Sequence, residues 1–412
     1  MRLVASLATV SALEIVNRDP ASQARTGRLK LARGTVRTPA FVPLATKGSV
    51  KSLTPDDVTG LGFDMVLGNT FHLMLSPGPE RVKDFGGLAE FMRWPGPVIT
   101  DSGGFQVFSM GHGTVADEVK GRRSKPEASQ GQGRILAIEE QGVRFRSYVD
   151  GSEMFMGPET SMEIQAALGS DIALVFDECT PFHVTRDYTA RSTERTHRWL
   201  DRCLEWHSAN GPQEQLVYSI VQGGVYEDLR RESAAAVASR ATGGIAIGGS
   251  LGADKAQMYE VVSWATDELD RTAGERPRHL LGIGEVDDLI RGVELGIDTF
   301  DCAMPTRLAR HGTAMAPRPE KRWRLDLTHA TGRDDHGPLV EGCECPCCAA
   351  GFSRAYLHYL VKAREFTVMR LLTLHNLYFV VKLMERLRLA IDEGDLPAVA
   401  AALRAGAAPW EA

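Results

Sequence analysis

Eight short apolar runs, most of them ending in glycine or a polar residue, constrain this chain more than any other feature. They occupy residues 40–45, 65–69, 98–103, 172–178, 217–222, 245–249, 279–284 and 299–304. Stretches with helical periodicity, such as 191–209 and 225–241, separate many of them. Repeated strand–helix alternation implies a parallel sheet with crossover helices. Eight strands fit an α/β fold of the (β/α)8 TIM-barrel type. A doubly wound open sheet is the runner-up, because periodicity alone does not establish closure.

Three segments interrupt that rhythm. Residues 112–134 are rich in Gly, Ser, Gln, Lys and Arg and read as a mobile basic loop. Residues 135–148 alternate around Gln141-Gly142 and predict a hairpin, with Pro158 opening a helix to Leu168. Near the start, residues 3–13 are apolar enough to imitate a signal-peptide core. Only Arg2 precedes them, however, and Ser6, Thr9 and Ser11 dilute them. Alternation through Leu13, Ile15, Leu29, Leu31 and Val36 predicts an N-terminal β-hairpin instead. No apolar run approaches the roughly 18 residues of a membrane span. A net charge of −6 excludes a protein that holds nucleic acid by bulk charge, though not one with a local basic patch.

Four of the cysteines lie between Cys343 and Cys348. Such crowding suits a metal in a reducing compartment better than a disulfide framework. Cys343, Cys345 and Cys348, with His375 on a later helix, would complete a tetrahedral Zn²⁺ site with no position left for water. That describes one structural zinc. Cys347 and His358 are the rival ligands. The expected division is a catalytic barrel over 1–325, then a zinc-binding subdomain with C-terminal helices over 326–412.

Acids recur at predicted strand ends: Asp101, Asp177 and Asp301. Each alone reads as a cap or turn residue. In a parallel barrel, three at the same end converge on one mouth. Gly103-Gly104, Gly223-Gly224 and Gly248-Gly249 fall at that end too, where glycine lets backbone approach a flat ligand. Arg307, Arg310, Arg318, Lys321, Arg322 and Arg324 form a basic stretch opposed only by Glu320, suited to phosphate contact.

At these residues the sequence resembles the tRNA-guanine transglycosylases, the queuine tRNA-ribosyltransferase family. The matching segments are Thr38-Pro39-Ala40-Phe41, Leu67-Gly68-Asn69-Thr70, Asp101 to Gln106 and Phe176-Asp177-Glu178-Cys179. Val221-Gln222-Gly223, Ile247-Gly248-Gly249, Phe300-Asp301-Cys302 with Pro305-Thr306-Arg307, and the cysteines with His375-Asn376 complete the set. The resemblance implies exchange of guanine at the wobble position of G-U-N anticodon tRNAs for a 7-deazaguanine, queuine or preQ1, in queuosine biosynthesis. It also implies a cytoplasmic homodimer.

The resemblance assigns roles. Asp301 would be the nucleophile on C1′ of the ribose, with Asp298 as a rival that strand alternation points to the other face. Asp101 would move the proton of the departing and incoming bases. Asp177 would accept from the base's N1–H and amine, and Gln222 and the Gly249 N–H would meet O6. Phe105 would stack on the ring and Leu281 would close its other face. Ser102 and Asn69 would orient the acid and the nucleophile. Arg307 and Arg310 would hold tRNA. Many bacterial members carry Leu-Ala-Val-Gly-Glu where this chain has Ser250-Leu251-Gly252-Ala253-Asp254. Gly252 in place of Val would leave room for the larger queuine, unless it only serves a tight loop. A non-catalytic partner subunit, a deazaguanine transglycosylase with another nucleic-acid substrate and a small-sugar glycosidase are the competing readings.

Overall fold

The computed structural model describes residues 11–111, 135–181 and 184–411. The basic loop expected over 112–134, and most of the apolar stretch at 3–13, lie outside them.

The chain opens with an antiparallel sheet of β1 (Leu13–Arg18), β2 (Arg25–Leu31) and β3 (Gly34–Thr38). Leu13 pairs with Leu29, and Leu29 with Val36, so the predicted alternation becomes one buried apolar row. The hairpin thus carries a third strand.

The eight barrel strands follow. They are β4 (Ala40–Val42), β5 (Val66–Gly68) and β6 (Val98–Thr100). The antiparallel insert β7 (Ile135–Ile138), β8 (Val143–Arg146) and β9 (Glu153–Met156) comes next. The barrel then resumes with β10 (Ile172–Leu174), β11 (Leu216–Val221), β12 (Gly244–Ile247), β13 (Arg278–Leu280) and β14 (Thr299–Asp301). The parallel order is β4-β14-β13-β12-β11-β10-β6-β5. The Leu67 N–H donates to the Pro43 carbonyl at 3.0 Å and the Ala45 N–H to the Leu67 carbonyl at 2.7 Å, joining the two outer strands. This seam makes the sheet a barrel and removes the open-sheet alternative. Every strand falls on its predicted run, β11, β12 and β13 each starting one residue before it, and the trailing residues of the runs turn out to be the loops at the mouth.

β15 (Thr313–Met315) and β16 (Arg324–Asp326) then form an antiparallel pair. Helices Arg354–Ala363, Phe366–Glu393 and Leu396–Arg404 end the chain. The 28-residue helix joins two cores. Val368, Leu371 and Leu372 pack with the cysteines. From Leu374 to Ile391 its apolar face packs into the barrel core. Among the described residues no helix is long and apolar enough to cross a membrane.

Candidate active site

The strand ends carry the chemistry. Asp101 follows β6, Gln222 follows β11, Leu281 follows β13, Asn69 follows β5, and Asp301 ends β14. Asp177 and Gly249 lie a few residues beyond β10 and β12. One cavity of about 320 Å³ is lined by Asp101, Asp177 and Asp301, together with Asn69, Ser102, Phe105, Gly249, Leu281 and Arg307. The convergence expected of a parallel barrel therefore occurs, with three acids from strands that are not neighbours in sequence.

Local structure holds each acid. Asn69 caps the helix Thr70–Leu75 through its Oδ1, which accepts the His72 N–H at 2.9 Å. The cap leaves the Asn69 amide group to donate to Asp101 Oδ2. The Thr70 N–H at the helix start donates to Asp101 Oδ1 at 2.8 Å. Burial pushes Asp101 up to about 7. The Thr70 N–H opposes that rise and the Asp301 charge adds to it. Asp177 accepts from Ser102 Oγ at 3.0 Å and from Gln222 Nε2 at 2.6 Å. Burial pushes it up to about 6 despite those two donors. Asp301 Oδ1 meets the Gly282 N–H at 3.0 Å and His279 Nε2 at 3.1 Å.

Several expectations change in detail. Asn69 holds Asp101 and Ser102 holds Asp177; His279 and the Gly282 N–H, which sequence reasoning missed, hold Asp301. A backbone N–H leaves no sequence signal. His279 left one, a polar residue on a barrel strand beside that of Asp301. Gln222 lies behind the cavity lining, tied to Asp177.

Asp298 is spent elsewhere. It is fully buried, and its carboxylate takes Arg25 Nε at 2.9 Å, Arg25 Nη2 at 2.7 Å and the Arg278 N–H at 2.7 Å. The basic stretch is less free than its composition implies, because Arg322 and Arg324 both pair with Glu285, at 2.6 and 3.0 Å. Arg307 reaches the cavity, whereas Arg310 bonds Thr306 Oγ1 and does not line it.

Gly252 lines a neighbouring cavity, also about 320 Å³, which shares Gly282, Cys302 and Arg307 with the first. Its φ of +124° suits glycine, and an added Cβ would lie 2.9 Å from Gln257 Cγ. The turn therefore demands glycine by itself, and room for a larger base is not needed to explain it.

The cysteine cluster resolves both rival ligands. Cys343, Cys345, Cys348 and His375 are buried with donor atoms within 4.8 Å of one another, while Cys347 lies outside the group. His358 Nδ1 is bonded to the Leu327 carbonyl at 2.7 Å. His375 Nδ1 stands 3.6, 3.3 and 3.6 Å from the sulfurs of Cys343, Cys345 and Cys348. Tetrahedral zinc, with Zn–S about 2.3 Å and Zn–N about 2.0–2.1 Å, sets that edge at about 3.6 Å. His375 Nε2 faces the Met315 carbonyl at 2.7 Å, the partner that turns Nδ1 toward a metal. The four residues fit a structural zinc site.

Comparison with known proteins bears on this architecture. The profile of a family described as queuine tRNA-ribosyltransferase matches residues 19–408. A queuine tRNA-ribosyltransferase from Roseiflexus sp. (strain RS-1) is 49% identical over 394 residues, covering 93% of this chain and 96% of its own. Those of Protochlamydia amoebophila and Pelotomaculum thermopropionicum are 45% and 44% identical, covering 92% and 93% of this chain and 95% of each relative.

Proposed function

The chain belongs to the queuine tRNA-ribosyltransferase family, and from that premise we propose that it is a tRNA-guanine transglycosylase. It is a pentosyltransferase that exchanges guanine at the wobble position of G-U-N anticodon tRNAs for a 7-deazaguanine base. The convergence of Asp101, Asp177 and Asp301 on one cavity carries the reading. Replacing one base by another with retained configuration requires two displacements, hence a nucleophile and a proton carrier. Asp301 attacks C1′, and Asp101 gives a proton to the departing guanine and takes one from the incoming base. A carboxyl near 7 suits both tasks at neutral pH.

Asp177 and Gln222, already bonded to each other, form the polar wall for the base edge with the Gly249 N–H. Phe105 and Leu281 enclose the ring, and Arg307 and Arg310 meet the tRNA backbone. The incoming base is queuine or preQ1, and the neighbouring cavity beside Gly252 supports the bulkier queuine. Zinc supplies no reactive position when bound; it ties the cysteine turn to the long helix.

A zinc-binding subdomain after residue 325 is supported by the small core around the cysteines, although that core also takes Ala309, Ala314 and Ala316 from before the boundary. A homodimer is supported by exposed Tyr359 and Phe366, at 62% and 82% exposure. A cytoplasmic location is supported by seven cysteines without a disulfide. Incubation with G-U-N tRNA and labelled guanine tests the whole, and label is expected at the wobble position. If none enters any tRNA, the function is wrong. With label established, kcat/KM for queuine and preQ1 decides the base.

A further inference from the structure

His279 sits directly beneath the proposed nucleophile. It lies on β13 in register with Thr299 of β14, and Thr299 and Asp301 share one face of that strand by the period of two. The imidazole therefore spans two successive inward side chains. Nδ1 lies 2.8 Å from Thr299 Oγ1 and Nε2 3.1 Å from Asp301 Oδ1. The ring is fully buried and does not line the cavity.

The hydrogen-bond roles follow from chemistry. A carboxylate only accepts, so Nε2 carries the proton. In a neutral ring Nδ1 is then an acceptor, and the Thr299 hydroxyl donates to it. The Gly282 N–H, at 3.0 Å, is a second donor on the same oxygen. Oδ1 thus takes two donors, while Oδ2 has none among the described residues.

We propose that His279 is a positioning residue for the exchange, holding Oδ1 of Asp301 so that Oδ2 is the oxygen that attacks. This rests on the transglycosylase reading. In the first displacement an electron pair of Oδ2 forms the bond to C1′ as the C1′–N9 bond breaks. The pair from that bond goes to guanine N9, which takes the proton of Asp101. In the second displacement N9 of the incoming base bonds to C1′ and gives its proton to Asp101. The C1′–Oδ2 pair returns to Asp301, restoring the carboxylate.

The two donors bind a carboxylate more strongly than the carbonyl oxygen of an ester. They therefore act chiefly on the second displacement, in which Asp301 leaves as an anion. A histidine that merely filled the core would have no preference between the two steps.

The test uses the full-length zinc-loaded enzyme, with circular dichroism and zinc content as controls for folding. Covalent tRNA adduct is followed in single turnover, first its formation without added base and then its breakdown on adding guanine. In His279→Leu, breakdown is expected to slow by roughly 10²-fold, the scale for losing a donor to developing charge. Adduct should accumulate and KM for guanine should stay within about twofold. His279→Gln, which sets an amide N–H near the place of Nε2, should recover most of the rate. Thr299→Val, which removes the hydroxyl that fixes the ring, should slow breakdown roughly fivefold and serves as the deciding variant if His279→Leu does not fold. Wild-type breakdown in a folded His279→Leu, or in Thr299→Val where that variant decides, overturns the proposal. Equal loss in both steps with a raised KM overturns it too. If the wild type itself forms no adduct, the functional reading fails and the proposal falls with it.

Discussion

Three carboxylates share the cavity at the barrel mouth, and three thiols crowd around His375 beyond it. Both groups bring like charges together out of water, an arrangement that costs free energy unless something offsets it. At the cysteines the offset is a cation: the donor spacing fits zinc, and metal binding becomes folding free energy. Among the described residues the mouth acids form no such donor group, and Arg307 shares their cavity. The acids respond by holding protons more tightly, Asp101 up to about 7 and Asp177 up to about 6. One cluster converts crowding into stability, and the other keeps it as reactivity.

The comparison breaks most sharply at the proposed nucleophile. Asp301→Asn should abolish exchange and adduct formation, a loss on the order of 10³-fold or more, while leaving the melting temperature and zinc content near wild type. Activity near the wild-type rate would move the nucleophile away from Asp301. Its rival Asp298, closed in a buried ion pair with Arg25, is then unable to serve without unfolding that corner.

The zinc cluster should behave in reverse. Cys348→Ser should lose the metal and lower the melting temperature by roughly 10 °C. Cys347→Ser, outside the donor group, should keep it. Metal analysis of the two purified variants reverses the ligand assignment if zinc stays in the first and leaves in the second.

A pH profile tests the mouth more finely. Asp177 must be ionised to accept two donors, so kcat/KM for guanine should fall as pH drops below about 6. In the proposed first displacement Asp101 must hold a proton to release guanine, so the overall exchange rate should also fall as pH rises above about 7. The profile is a narrow bell whose limbs belong to the coupled set of acids. A flat rate between pH 5 and 9 would remove Asp101 from proton transfer.

The smallest effect is the most telling for the comparison. Asp177 binds its proton more tightly in the folded protein than the unfolded chain does, where a carboxyl titrates near about 3.9. Stability therefore falls as pH rises from roughly 4 to 6, and the cost is fully present above that window. Asp177→Asn should remove it, raising stability at pH 8 by roughly 3 kcal/mol, with no gain near pH 4. Removing a member of the acid cluster would stabilise the fold, whereas removing a zinc ligand destabilises it. Thermal melts at the two pH values, beside guanine binding, give the answer.

Much of this was legible along the chain. All eight barrel strands and the helix from Pro158 to Leu168 follow from apolar spacing, because side-chain period and backbone geometry are coupled over a few residues. The third strands at β3 and β9 were harder to read, since each is short and half exposed and carries a weak alternation.

The sequence by itself determined the strand–helix order, the placing of Asp101, Asp177 and Asp301 at strand ends, and the cysteine cluster, with Cys347 still a rival to Cys348 as donor. Those are local facts, set by neighbours within a turn or a pleat. Only the tertiary structure decided that Leu67 closes the barrel against Pro43 and Ala45, that His375 rather than His358 meets the thiols, and that His279 supports Asp301 while Arg25 occupies Asp298. Each of these choices is a distance between residues remote in sequence, and periodicity carries no information about distances until the sheet has closed and its layers have packed.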